Sequence, residues 1–460
     1  MSDTPNLFDG YARSLTHRLI KACEQDPIRS LDSPKTSVAR TAAVLLATVA
    51  AVAGLILVGM EVLHIQLSHG PVTSHTPPPV TTVTPSALPT PTPAATPTPS
   101  PAVAPSGIAG LRMFTPSVGW AQRQSDGAIL HTTHGVQTWT VASPPIGGAT
   151  VITVAFVDAE AARALTAMIP PTGAGPVTRI QAWSTDNGGL TWSKGGSFVD
   201  YALPYEPAGT LDFVDREHGW FSITGLGAAG SSAIFVYRTV DGGAHWTEVD
   251  KTFVVPVAGP TKIPSGCDKN PVSFINAMTG WATAECNGGK PFVYVTHDGG
   301  VTWRYQSLGI AGSEYGFSTA PPQFVSGAGG FLVGYVGLPP APHATVYVTS
   351  NGGVSWKGWL TPDYYPEASD FIDPQTGWLL LNGPESVAGT ATLWVTHDAG
   401  RTWTNLHASP SIDGLSLDFV SGQRGWAFAA TPGGSPPAVL MQTTDGGRTW
   451  TAIVPTISGT

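Results

Sequence analysis

From residue 107 to the end of the chain, apolar residues come in short runs broken by Gly, Pro and Asx clusters, and no stretch keeps a helical period. Runs such as FVYVT at 292–296 and TLWVT at 392–396 are β-branched and aromatic and are bounded by turn residues, which predicts strands. Before residue 107 the pattern changes. Residues 41–60, TAAVLLATVAAVAGLILVGM, carry no charge, and at ~1.5 Å per residue they reach roughly 30 Å, the hydrocarbon thickness of a bilayer. This predicts a transmembrane helix over 41–63. An apolar core this long and this far from the N-terminus, without a small-x-small exit, fits an anchor better than a cleaved signal peptide. In the preceding tail, 1–40, the series Phe8, Tyr11, Leu15, Leu19 and Ala22 predicts one amphipathic helix ended by Pro27, a surface for a cytoplasmic partner or for the inner leaflet.

The Trp residues reveal a period. All 15 lie after residue 106, and aligning an eight-residue word on its last Trp gives seven copies, ending at Trp139, Trp192, Trp246, Trp303, Trp356, Trp403 and Trp450. The best copies are THDGGVTW, THDAGRTW and TTDGGRTW, and the intervals are 53, 54, 57, 53, 47 and 47 residues. A second word, of the type FINAMTGW, precedes each octet and ends at Trp120, Trp220, Trp281, Phe331, Trp378 and Trp426; the second unit keeps only FVDAEAAR. Within a unit the order of apolar runs and turns predicts four antiparallel strands. Residues 107–460 are therefore expected to form an all-β domain, a single seven-bladed β-propeller of four-stranded blades, whose radial closure leaves few sheet edges exposed.

The octet has a physical use in such a fold. Its third residue is Asn187, Asp241, Asp298, Asn351, Asp398 or Asp445, short Asx side chains that bond backbone amides a few residues on, and the glycines that follow supply positive φ. The closing Trp (Trp192, Trp246, Trp303, Trp356, Trp403, Trp450) is then expected to fold over the turn and bury between neighbouring sheets.

The pattern T-x-D-G-G-x-T-W resembles the Asp-box, or bacterial neuraminidase repeat, and its pairing with F-[VI]-x(4)-G-W about every fifty residues resembles the photosystem II stability/assembly factor family. The resemblance covers 107–456. It implies boxes that sit between the third and fourth strands, are structural, and lie away from the functional face. It also implies a basic patch, from which this chain departs: Arg304 stands nearly alone. Fold likeness of this kind carries no photosynthetic role with it.

Composition narrows the chemistry. Residues 70–106 hold 12 Pro, 9 Thr and 4 Ser, a disordered stalk that at ~3.1 Å per residue spans at most about 115 Å. Arg29, Lys35 and Arg40 precede the anchor, while the next basic residue after it is Arg112, so the N-terminus is expected in the cytoplasm and everything after Gly70 outside, in a single-pass cell-membrane protein. The propeller carries 16 Lys and Arg against 25 Asp and Glu, a net −9 that disfavours a nucleic-acid partner. A sialidase needs an arginine triad and a Tyr nucleophile, yet no Arg-Ile-Pro segment occurs near the first unit, and Arg401 and Arg448 fall inside octets. His297 and His397 take the variable second place of their octets and make poor metal ligands. No metal, cofactor or catalytic residue is assigned. Cys267 and Cys286 flank the turn of FINAMTGW nearly symmetrically on the oxidising side, which predicts a disulfide.

Strand parity places the octets on one face and three distinctive connections on the other. Those connections carry Tyr201, Tyr205 and Glu206; Tyr305, Glu314 and Tyr315; and Trp359, Asp363, Tyr364, Tyr365 and Glu367. Exposed rings beside carboxylates suit protein or sugar recognition. The expected function is non-enzymatic: a membrane-tethered recognition or assembly scaffold for a protein or glycan outside the membrane. The alternative is an extracytoplasmic glycoside hydrolase.

Overall fold

The computed structural model describes residues 107–168, 179–198, 209–225, 227, 230–253, 262–286, 290–309, 317–336, 343–361, 365–382, 391–408, 414–429 and 439–459. The predicted tail, anchor (41–63) and stalk lie outside the described residues. Among those described, every regular element is a strand, and no helix is long and apolar enough to cross a membrane.

Each sequence unit folds as four antiparallel strands in meander order. In the third they are Thr210–Phe213, Gly219–Gly225, Ala233–Thr239 and Thr247–Thr252. Burial falls along this order for a simple reason. Second strands are covered on both faces by adjacent sheets, so Ala162–Ala167 is buried at every position and Gly280–Cys286 at all but one. Fourth strands form the outer edge, and both residues of Arg304–Tyr305 are exposed.

Seven separate four-stranded sheets were expected; the described residues form six, arranged as a propeller-like ring. Units four and five are merged in one ten-stranded sheet, because Cys286 and Glu285 at the end of one second strand pair with Phe317 and Ser318. Prolines explain the departure. Pro271, Pro321 and Pro322 interrupt the first strands of these two units, splitting them into Asp268–Lys269 with Ser273–Phe274 and Phe317–Thr319 with Gln323–Phe324, since proline has no N–H to give a ladder. The freed upper piece of unit five then pairs sideways.

The core lies between units. Trp120 of unit one packs with Ala162 and Phe156 of unit two, Trp281 of unit four with Leu332 of unit five, and Trp426 of unit seven with Ile108 and Met113 of unit one. Within these interfaces the two sequence words meet. The Trp220 ring stacks on Phe274 of the next unit at 3.5 Å and 3°, and the octet Trp303 meets that Phe edge-on at 71°. Trp378, Phe419 and Trp450 repeat the arrangement at 3.7 Å and 83°, and Phe331, Phe371 and Trp403 at 3.8 Å and 77°. A parallel stack crossed by a perpendicular ring matches the aromatic quadrupoles as well as filling space. Where unit two lacks Gly-Trp, the Arg163 guanidinium sits 6.0 Å from the Phe213 ring instead.

The glycine before the Trp serves this stack. A Cβ on Gly280 would lie 2.4 Å from the Phe274 ring, the residue paired with it across the strands. The ring closes through the C-terminus: Thr456–Ser458 adds in parallel to the outer strand Thr138–Val141 of unit one, covering one exposed edge.

Candidate functional site

Six of the seven octets, all but the first, form a closed local network between their unit's third and fourth strands. Thr296 Oγ1 donates to Asp298 Oδ1 at 2.8 Å and accepts from Gly300 N at 3.0 Å; Asp298 accepts from Thr302 N at 2.8 Å and Thr302 Oγ1 at 2.6 Å. The same residue-seven amide reaches Asn187, Asp241, Asn351, Asp398 and Asp445 at 2.9–3.0 Å. The left-handed glycines, such as Gly299 and Gly300 (φ 75° and 98°), let the chain turn, and Gly299 N donates to Met278 O in the first turn of the same unit at 2.9 Å. Both turns therefore share one end of the molecule. Burial pushes the Asp445 carboxyl up, but the bonds from Thr449, Thr443 and Arg448 N outweigh it and hold it down at about 2. Asp241, Asp298 and Asp398 are lowered the same way. The octet Trp residues are less uniform than expected: Trp139, Trp303 and Trp450 are buried, whereas Trp192, Trp246, Trp356 and Trp403 are half-buried.

Sequence reasoning missed a second set of carboxylates, one residue before the Phe of the second word. Asp212 accepts from Phe274 N of the next unit at 2.9 Å, Asp370 from Phe419 N at 2.5 Å, and Asp418 from Met113 N at 2.7 Å. Arg112 and Gln323 hold the equivalent place in units one and five and join the network, Arg112 Nη1 to Asp418 at 3.2 Å and Gln323 Nε2 to Asp370 at 3.1 Å. Burial pushes Asp212 up to about 6 against the Phe274 N–H, and Asp418 up to about 6 against the pull of Arg112 and the Met113 N–H. Burial likewise raises Asp370. The recurring Asp-Phe pair at 212–213, 370–371 and 418–419 was the available signal.

A cavity of 240 Å³ lies at the strand ends away from the octets, between the first strands of units five and six. Its position follows from register: Thr319 pairs with Gly334 near one end of unit five's second strand, while the octet begins at Thr349, paired with Gly330 at the other. Thr319 is fully buried, yet its Oγ1 has no hydrogen-bond partner among the described residues, and Glu367 and Asn270 also line the space. Asn270 Nδ2 donates to Thr319 O at 2.7 Å.

Most of the aromatic rim expected at this end, Tyr201, Tyr205, Glu206, Glu314, Tyr315, Asp363 and Tyr364, lies outside the described residues. Tyr365 begins the strand Tyr365–Phe371. Two rim residues are corrected. Tyr305 lies in a fourth strand, exposed, with its ring 5.7 Å from Tyr294. Trp359 lies in the fourth strand Lys357–Leu360, opposite Val346 and beside Arg401 of an octet. Fourth strands run on past the octet Trp, so residues expected in loops are strand.

Cys267 and Cys286 form a disulfide with Cα atoms 4.6 Å apart, continuing the pairing of Asp268 with Glu285. His297 is exposed and contacts Thr279 Oγ1 at 3.4 Å; His397 is exposed. Among the described residues no group of three or more His, Cys, Asp or Glu converges as metal ligands would.

The sequence matches no protein-family profile and no curated protein. Among solved structures the chain is similar to the GH74 xyloglucanase from Xanthomonas campestris (13% identity, TM-score 0.50, covering 76% of this chain). It spans 55% of the length of that xyloglucanase chain. It is also similar to the Niastella koreensis GH74 enzyme (13%, TM-score 0.42, 77% of this chain and 67% of that one) and to YCF48 from Cyanidioschyzon merolae (16%, TM-score 0.41, 75% and 97%). At such identities the xyloglucanase likeness speaks to the fold alone, a β-propeller.

Proposed function

We propose that the chain is a membrane-tethered, extracytoplasmic seven-bladed Asp-box propeller that recognises a protein or glycan without transforming it. The seven-unit sequence period and the core that joins the last unit to the first support counting the ten-stranded sheet as two blades. The anchor over 41–63 and the stalk over 70–106 would hold it outside the cytoplasmic membrane, with the octet face structural and the opposite end available. No nucleic acid is expected among its partners.

The observation that carries the reading is the use made of the inner carboxylates. Asp212, Asp370 and Asp418 each accept a main-chain N–H from the next unit, so these buried acids serve to join sheets. The cavity at the far end, lined by the polar side chains of Asn270, Ser318 and Glu367, supports binding there. In-cell crosslinking of the full-length chain, from photoreactive groups at Glu367, is expected to capture a discrete protein or glycan partner. Crosslinks confined to the chain itself would contradict the reading.

A second reading keeps one observation in its favour. Asp370 and Asp418 are coupled neighbours, and burial raises both, Asp418 to about 6; a raised carboxyl is what the general acid of a glycoside hydrolase requires.

A further inference from the structure

A second cavity, of 390 Å³, lies at the octet end between the outer parts of units five and six. Its wall is unusual for this protein. Trp359 from the fourth strand of unit five has the Lys357 ammonium 4.3 Å and the Arg401 guanidinium 5.7 Å from its ring centroid. Lys357 and Trp359 come from one unit and Arg401 from the octet of the next, so the arrangement exists only where the two units pack.

Several other cations are engaged by acids or carbonyls. Arg123 binds Asp126, Arg216 binds Asp158, Arg112 binds Asp418, Lys251 binds Glu248, and Lys269 donates to main-chain carbonyls. Among the described residues neither Lys357 nor Arg401 forms an ion pair. Two unneutralised cations at one ring are not a general surface property in a chain of net charge −9. The ring attracts both and limits the rotamer freedom that long basic side chains otherwise lose on binding. The result is a preorganised site for an oxyanion, Arg supplying a planar donor fork and Lys a point charge.

The remaining wall selects among anionic partners. Ser326, Ser350 and Gln375 line the cavity and are exposed. The volume falls within the range of small-ligand sites, ~300–1,000 Å³. Beyond Lys357 and Arg401 the cavity's polar side chains are hydroxyls and an amide, the donors and acceptors that sugar hydroxyls pair with. We infer that this groove binds an acidic glycan through a sugar carboxylate: Lys357 and Arg401 hold the carboxylate, Trp359 fixes the two cations, and the hydroxyl and amide side chains meet sugar hydroxyls. The inference concerns the octet end and stands apart from whatever the opposite end recognises.

The test is calorimetric titration of the full-length chain in detergent with three probes: a uronic-acid oligosaccharide, a neutral oligosaccharide of the same length, and a Glu-rich peptide. Binding of the uronate alone is expected, weakened several-fold at about 0.5 M salt by screening. Lys357→Gln with Arg401→Gln is expected to weaken it at least tenfold, and Trp359→Ala to weaken it with both cations still present. The substituted cations are exposed, so unchanged melting of the double variant verifies the fold. Absence of uronate binding, equal binding of the peptide or the neutral sugar, or full affinity in the double variant would overturn the assignment.

Discussion

The octet corner and the inter-unit stack both repeat around the ring, and they stabilise it by different physics. A corner such as Thr296 to Trp303 is local and polar: a hydroxyl and a carboxylate satisfy amides within a few residues, close to solvent. A stack such as Trp220 on Phe274 is non-local and apolar, and the carboxylate beside it, Asp212, is taken out of water to reach the Phe274 N–H. Their acids consequently shift in opposite directions, Asp445 down to about 2 and Asp212 and Asp418 up to about 6. The most repeated word in the sequence is thus the corner, while the residues that join the units into a ring belong to the quieter word that precedes it.

Substitution tests this contrast. Trp281→Ala, which empties a fully buried stack, is expected to cost about 3–5 kcal/mol, whereas Trp403→Ala, at a half-buried corner, is expected to cost about 1–2 kcal/mol, both read from thermal melts of the full-length protein. Equal losses would break the distinction.

The pH dependence follows next in size. A carboxyl raised in the native state leaves the folded chain binding more protons than the unfolded one, so the contribution of Asp212 and Asp418 improves as pH falls from about 6 to about 4. The corner acids, whose carboxyls are lowered, contribute stability that is present above about pH 4 and lost as pH falls further, for Asp445 through about 2. Melting temperature is therefore expected to peak near pH 4–5, and Asp418→Asn, which keeps an acceptor for the Met113 N–H, to flatten the slope above that peak. A slope of the opposite sign between pH 4 and 6 would contradict the burial argument.

Smaller effects refine the picture. Gly280→Ala places a methyl against the Phe274 ring and is expected to cost about 1–3 kcal/mol. Asp298→Ala removes the acceptor for Thr302 and is expected to cost about 0.5–2 kcal/mol, comparable to loss of a helix cap. Ala399, held at φ 61° where other octets have Gly, is expected to gain up to about 1 kcal/mol as Ala399→Gly.

What could be read in the sequence tracks the same division. Octet turns were legible because Asx, Gly and Thr act within a few residues, and the strand runs were legible because their boundaries are local. The Trp–Phe stacks were not, since the partners lie in different units, and neither was the Asp before each Phe, whose acceptor role depends on the neighbour's backbone. Trp359 and Tyr305 were expected in loops because a Trp-led run does not announce where a fourth strand ends. The merging of units four and five turned on three prolines whose effect depends on which strand end lies next to them.

We propose that the inner carboxylates join sheets rather than perform chemistry. The measurement that tests it most directly is turnover of a panel of fluorogenic glycosides by the full-length protein beside Asp370→Asn and Asp418→Asn. The account predicts no turnover by any of the three, with lowered or pH-shifted melting as the only consequence of substitution. Hydrolysis by the unsubstituted chain that disappears in either variant, with its fold intact, would contradict it.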